Sequence, residues 1–328
     1  MKNRVQIIIK IIVFIVIFGV LSSLLTKLLI RKEEYGKYQE FYSEKDGFDV
    51  LFFGSSRMLD AVWPMELWKD YGIKSYNMAQ HSETLVRSYW SVLNAIKYNK
   101  PKVIVVDVSL FAGQTYIDKD SSMEDKAYLH NTLDHMPMSI IKIKAINNLC
   151  SFSERGEYLF PLALYHSRWS SLTKDDIIPV RSPMKGAEVR DKTEPQQYSP
   201  WPTEEKSEVF LSEGLNLDRL IDLCEKNDIE PVFVCLPVPG ADYYTTINSF
   251  EDYFQERGIP FINYWKDDSL FDYEKDFADD SHLNRSGAIK LSGAIGKYLS
   301  EHYSFDHENN KTDDEWNREL KEYMEKVH

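Results

Sequence analysis

The longest apolar stretch lies at the start of the chain. Residues 5 to 30 read VQIIIKIIVFIVIFGVLSSLLTKLLI, with 16 uncharged residues between Lys10 and Lys27. At about 1.5 Å per residue these give roughly 24 Å, against a hydrocarbon core of about 30 Å. Snorkelling of the two lysines lengthens the usable span across the apolar flanks, so the stretch reads as a membrane helix. No small-residue cleavage site follows and no lipobox cysteine is present, which favours an uncleaved anchor over a signal peptide. Lys2, Arg4 and Lys10 flank one side, and Lys27, Arg31 and Lys32 the other. The positive-inside rule therefore leaves the orientation nearly balanced.

Beyond the anchor (residues 1–32), residues 33–48 are charged and aromatic and read as a stalk. Short apolar runs then alternate with helical patterns. Val50–Phe53 and Lys74–Tyr76 read as strands, and Leu85, Tyr89, Val92, Ala95 and Ile96 recur at helical spacing within Glu83–Tyr98. Val103–Val108 is the strongest β-branched run. It lacks polar alternation, as a parallel strand covered on both faces should. A long middle segment, 112–208, interrupts the rhythm with helical patterns at Ser139–Leu149 and Tyr158–Tyr165 and a polar, proline-bearing piece at Ile178–Pro202. A connection of this length reads as an insertion or lid. The rhythm resumes with a helix at Leu215–Lys226, a strand at Pro231–Pro237, a helix before Gly258, a strand at Pro260–Asn263 and a helix at Arg285–Tyr303. Strands alternating with helices predict an α/β fold with a doubly wound parallel sheet over 49–303. In the charged tail, 304–328, Trp316, Leu320, Tyr323 and Met324 share one helical face, which predicts a docked terminal helix.

Composition narrows the function. The 328 residues are 43% hydrophobic and 28% charged, enough for a folded core. A net charge of −13 argues against nucleic acid as a partner, which needs a basic surface. The 20 tyrosines and 17 phenylalanines suit either a core or a sugar-facing cleft. Cys150, Cys224 and Cys235 match no zinc or redox spacing; Cys224 and Cys235 read as core residues.

Ligand sites in such sheets lie beyond the carboxyl ends of the strands. Three segments qualify: GSSR (54–57), NMAQHSET (Asn77–Thr84) and FADDSHLNRSGA (Phe277–Ala288). The first is ordinary turn chemistry or the seat of a nucleophilic serine. In the third, Asp279 precedes His282 by three residues. That spacing lets a carboxylate reach Nδ1 and leaves Nε2 free to take a proton; the bland alternative is a capped turn with a surface histidine. Asp279, Asp280 and His282 could also meet a cation, but a serine nucleophile accounts for the first and third segments together, so no metal and no cofactor are expected. There is no P-loop and no GxGxxG. Asn284 is placed to cap the last helix. His81 reads as a neighbour of the second segment and not as a base.

The GSS of Gly54–Ser56, the NMAQHSET block and DxxH followed by LNxxGA together resemble the SGNH (GDSL-like) hydrolase superfamily, over about residues 48–112 and 210–300. The resemblance implies Ser56 as the nucleophile, with Ser55 in place of the family's aspartate, and Asp279 and His282 completing a triad. The anchor and the GSS variant resemble the membrane-anchored branch that works with membrane-bound O-acyltransferases on exported polymers, adding acetyl or D-alanyl groups. The implied partners are such an acyltransferase and an envelope polysaccharide. The implied location is the cell membrane, single-pass, with the catalytic domain extracytoplasmic.

Two departures matter. The family's oxyanion glycine falls at Ser82, whose backbone N–H could still serve beside that of Ser56. The third block, Asp107–Gly113, lacks the family's asparagine. Loss of one oxyanion donor costs about 10²- to 10³-fold where it operates. Either Ser109 or an insertion residue substitutes, or the protein is a poor hydrolase; a catalytically silent glycan-binding scaffold is the alternative function. Arg57 suits an anionic substrate or a structural role. His166, Arg168 and Trp169, in YHSRW, suit sugar or carboxylate recognition or an ordinary packed helix end.

Overall fold

The computed structural model describes residues 2–30, 32–109, 123–174, 176–177, 182–207, 211–305 and 310–327. Arg31, the 110–113 part of the third block and residues 178–181 of the proline-bearing piece lie outside the described residues. The helices and strands in chain order are α1 (Lys2–Leu29), α2 (Lys32–Ser43), β1 (Val50–Phe53), α3 (Ser56–Ala61), α4 (Pro64–Tyr71), β2 (Ser75–Asn77), α5 (Leu85–Ala95), β3 (Val103–Asp107), α6 (Met123–Leu133), α7 (Ile140–Leu149), α8 (Arg155–Leu159) and α9 (Leu162–Tyr165). After a 3₁₀ turn (His166–Ser171) follow α10 (Leu211–Glu225), β4 (Glu230–Cys235), α11 (Tyr244–Glu256), β5 (Phe261–Asn263), α12 (Arg285–His302) and α13 (Asn310–Val327).

These elements form two compact units, Met1–Glu40 with Leu129–Arg181, and Phe41–Tyr128 with Ser182–His328. In the first, Arg4–Leu29 of α1 is long and apolar enough to cross a membrane. Its large apolar side chains from Val5 to Leu25 are exposed. The rest of this unit has a polar interior knot. His130 Nδ1 and Tyr165 Oη both meet Asp134 Oδ2, at 2.9 and 2.8 Å, and His130 stacks on Tyr158. Lys142 is buried nearby, and burial holds its pKa below the usual lysine range against the pull of Asp134.

The second unit is the predicted doubly wound α/β sheet: five parallel strands in the order β2-β1-β3-β4-β5. Every residue of β1 and β3 is buried, which is why these runs carry no alternation. The second strand starts one residue later than expected, at Ser75, and β4 ends two residues earlier, at Cys235. The core along the sheet includes Val50, Phe52, Val105, Val234 and Ile295. The chain leaves β1 for β2 on one side and returns to β3 on the other. The switch point therefore falls between β1 and β3, where α/β sheets of this order open a crevice.

Helix α13 docks on this unit. Trp316 and Tyr323 are buried, Trp316 packs against Trp68, and the Tyr323 hydroxyl donates to Glu66 at 2.5 Å. Met324, expected on the same face, is exposed; the hydrogen bond to Glu66 and the Trp316 contact set the rotation of the helix and leave Met324 at its margin. Within the segment read as a stalk, Phe41 is fully buried against Phe48 and Tyr76.

Candidate active site

Strand β1 ends at Gly54, and the chain turns sharply into α3. Gly54 has φ +147°, and a Cβ there would lie 3.0 Å from the Cβ of Asp107. A glycine is required for both reasons. Ser55 is the N-cap of α3, accepting from the Arg57 N–H at 3.3 Å, as serine does at helix starts. Ser56 is thereby the first helical residue, raised at the mouth of the sheet. The far end of α3 is held by Asn77, whose amide donates to the carbonyls of Met58 and Val62 at 2.9 and 2.8 Å. The β1–β2 pairing continues into the second block through Met78 N–H to Phe52 O and Gln80 N–H to Gly54 O. That brings NMAQHSET alongside the serine turn.

The third segment is a closed loop before α12. The Ala278 N–H donates to the His282 carbonyl at 2.9 Å and the Asn284 N–H to the Asp276 carbonyl at 3.0 Å. Asn284 caps α12 as expected, accepting from the Gly287 N–H at 3.2 Å. A Cβ on Gly287 would collide with the Asp276 carbonyl, so glycine lets the helix start against the loop. Within the loop, the Asp279 carboxylate accepts from the Ser281 N–H at 2.9 Å and from His282 Nδ1 at 2.8 Å. The other ring nitrogen, Nε2, lies 2.8 Å from Ser56 Oγ. Ser56, His282 and Asp279 thus form one hydrogen-bonded chain.

Partial burial works to raise the Asp279 pKa, but the Ser281 N–H, the His282 ring and the Arg190 guanidinium outweigh it, and the carboxyl lies below its ordinary range. Arg190 is a residue that pattern reading missed. It stands 4.0 Å from Asp279 through Nη1 and pairs through Nε with Asp60. Asp60 is buried, and burial raises its pKa against the lowering effect of Arg190. Arg190 thus bridges α3 and the histidine loop. Its place in the polar middle piece, 130 residues from Asp60, gave it no local signature.

The structure shows how the backbone is arranged at Ser82 and Ser109. Ser82 has φ +49°, the left-handed region where glycine is favoured. The turn expected of a glycine is therefore made with a serine. Ser109 is fully buried and does not act as a spare donor. Its N–H and hydroxyl both donate to Asp107, at 2.9 and 2.8 Å, and its oxygen accepts from Arg57 Nη1 at 3.3 Å. Arg57 Nη1 also donates to the Tyr243 hydroxyl at 2.7 Å. Burial raises the Asp107 pKa, opposed by the Ser109 N–H and then by Arg57. Burial likewise pushes the Tyr243 phenol up. Arg57 is therefore pinned beside Ser56 as the counter-charge to a buried carboxylate. His81 Nε2 lies 3.5 Å from Glu188.

The other predicted binding residues belong to the first unit. Arg168 donates to the carbonyls of Leu29 and Ile30 and to Asp176, His166 Nδ1 meets the Ala163 carbonyl, and Trp169 is exposed. Among the described residues, no group of three or more His, Cys, Asp or Glu side chains could hold a metal ion.

No protein-family model and no curated protein sequence matches the chain. Among solved structures, it is similar to a GDSL-like lipase from Bacteroides thetaiotaomicron at 12% identity, covering 82% of this chain and 100% of that one, with a TM-score of 0.40. It is also similar to a protein from Desulfitobacterium hafniense described as lipolytic and of the G-D-S-L family, at 12% identity over 76% and 98% of the two chains, with a TM-score of 0.39. A third, from Bacteroides fragilis and described as an acylhydrolase, is 12% identical over 80% and 94%, with a TM-score of 0.41.

Proposed function

We propose that the chain is a membrane-anchored serine esterase or acyltransferase acting on O-acyl groups of an exported envelope polysaccharide. The observation that carries this reading is the hydrogen-bonded run from Ser56 Oγ through His282 to Asp279. Ser56 Oγ gives its proton to Nε2 as it attacks the acyl carbonyl. Asp279 holds Nδ1–H and stabilises the imidazolium. The backbone N–H groups of Ser56 and Ser82 hold the oxyanion. His282 then protonates the leaving group, and the acyl-enzyme remains on Ser56. A sugar hydroxyl, or water, is deprotonated by the same nitrogen and takes the acyl group in the reverse sequence. A membrane-bound O-acyltransferase is the partner that supplies the acyl group. In this reading residues 1–32 anchor the chain, 33–48 connect, 49–303 carry the chemistry with 112–208 inserted, and 304–328 dock on it. The catalytic domain faces outward, where the polymer is.

A fluorophosphonate probe tests the nucleophile. Labelling of the wild type that disappears in Ser56→Ala supports the enzyme. Products compared with and without an acceptor sugar then separate transfer from hydrolysis. One observation favours a second reading, a catalytically silent scaffold that binds glycan: both donors of Ser109 are spent on Asp107. Folded wild-type protein that takes no Ser56-dependent label would select it.

A further inference from the structure

One face of the first unit has no part in the chemistry above. Arg168 Nη1 donates to the carbonyls of Leu29 and Ile30 at 2.7 and 2.8 Å, and Nη2 to Asp176 at 2.9 Å. Carbonyls at the end of a helix lack intrahelical partners, so Arg168 caps α1. Helix α9 and the 3₁₀ turn pack on α1. Towards the end of α1, exposure falls at Ser22, Thr26, Leu28 and Leu29, and at Ile30 just beyond it; Ser22, Thr26 and Leu29 share one face of the last two turns. Those turns span about 10 Å. The 26 residues Arg4–Leu29 span about 39 Å, against about 30 Å of hydrocarbon and about 40–45 Å of whole bilayer. With α1 across the membrane, its last two turns straddle the boundary between acyl chains and headgroups. Whatever packs on them sits at that level.

Beside polar His166, Ser167, Ser170 and Ser171, large apolar side chains are exposed on this packed segment and just ahead of it. Phe160 is 63% exposed, Leu164 52% and Trp169 72%, with Phe152 ahead of them at 86%. Outside α1, the described residues expose large apolar side chains at three positions in the second unit (Tyr98, Tyr198 and Met324) and at eight positions between 138 and 177. The apolar exposure outside α1 is thus concentrated in the first unit, the one that carries the membrane helix. Concentrated exposure of this kind marks an interaction surface.

We propose that residues 152–171 form an interfacial foot, with Phe160, Leu164 and Trp169 seated in the headgroup–acyl boundary of the leaflet where α1 ends. The occupant of this face is lipid. A segment hydrogen-bonded to the last residues of a membrane helix stays at that leaflet, and tryptophan with aliphatic neighbours suits this layer. The foot fixes how α1 leaves the bilayer. This inference rests on the reading that α1 crosses the membrane.

The test uses the full chain in nanodiscs of phosphatidylcholine and phosphatidylglycerol, with no other protein. An environment-sensitive NBD probe is placed on a single new cysteine in Phe14→Cys, Phe160→Cys, Trp169→Cys or Tyr198→Cys, all at exposed positions. The native cysteines are buried, and burial pushes the thiols of Cys150 and Cys224 up to about 12 and that of Cys235 well above its ordinary value, so they stay unlabelled. Spin-labelled lipids are expected to quench the probe several-fold at positions 14, 160 and 169, with a blue-shifted emission, and not at 198. Quenching at 14 without quenching at 160 and 169 overturns the foot, leaves the anchor standing and assigns the face to a protein partner. No quenching at 14 overturns the anchor and the foot together.

Discussion

Ser56 Oγ and His282 Nε2 lie 2.8 Å apart although 226 residues separate them in the chain. One belongs to the turn after the first strand and the other to the loop before α12. A parallel sheet brings the two to the same rim, and the loop's own hydrogen bonds aim the imidazole. If this bond activates the serine, Ser56→Ala and His282→Gln each lower acyl turnover by about 10³-fold or more, and the double variant is no worse than either alone. Steady-state kinetics of the three variants on an activated ester measures this.

Asp279→Asn keeps the size of the side chain but favours the wrong ring tautomer. A fall in kcat of about 10²- to 10⁴-fold is expected, with little change in melting temperature. The Asp279 pKa is depressed in the folded protein. Its stabilising contribution is therefore present above the unfolded carboxyl value of about 3.9 and is lost only as pH falls through the lower folded value. Down to about pH 4 the wild type should lose no stability through this group, and Asp279→Asn should show the same pH profile of melting temperature there.

Arg57 faces a buried carboxylate, and its loss should show as pH-dependent stability. Burial raises the folded pKa of Asp107, and Arg57 opposes the rise. In Arg57→Met the pKa climbs further, so the ionised form costs more in the folded state. The deficit is largest above the folded Asp107 values of both proteins, where the carboxyl is ionised in each. It shrinks as pH falls through the folded value, because the folded protein then takes up the proton. Melting temperatures of the two proteins should converge as pH falls through the folded Asp107 value; parallel curves would refute the pairing.

Arg190 pairs with Asp60 and stands near Asp279. Arg190→Met leaves a buried carboxylate without its cation, at a cost of about 1–3 kcal/mol. Activity should fall further than stability explains, because the histidine loop loses its tie to α3. Arg190→Lys should restore stability more fully than kcat, since lysine cannot span both carboxylates with a planar fork.

The docked terminal helix makes a separate prediction. Tyr323→Phe removes the donor to Glu66, which is buried. The expected loss is about 1–3 kcal/mol, or about 2–4 °C in melting temperature per kcal/mol for a domain of this size. Trp316→Ala should cost about 3–5 kcal/mol. Thermal scans would register both changes, with turnover at low temperature unchanged.

The strands were legible because apolar β-branched runs buried on both faces carry no other signal; Val103–Asp107 and Glu230–Cys235 fall where the pattern puts them, within a residue or two at each end. The Asp279–His282 contact was legible because three residues of one turn decide it. The Arg57–Tyr243 bond spans 186 residues and the Arg190–Asp60 pair 130, and periodicity within a window carries no trace of either. The cap of Arg168 on α1 was hidden for the same reason, so its cation suggested a ligand where a helix end was waiting. Phe41 looked like part of a polar connector because its neighbours are charged; only its partners Phe48 and Tyr76 show it to be core.

Asp279 and His282 come from a single short loop, closed on itself by backbone bonds at both ends. They travel together. Ser56 rides on a different element, the first turn of α3, so the three-residue chain has one separable joint, between the hydroxyl and Nε2. Any rearrangement that parts the turn after β1 from the loop before α12 breaks the first contact and leaves the second intact.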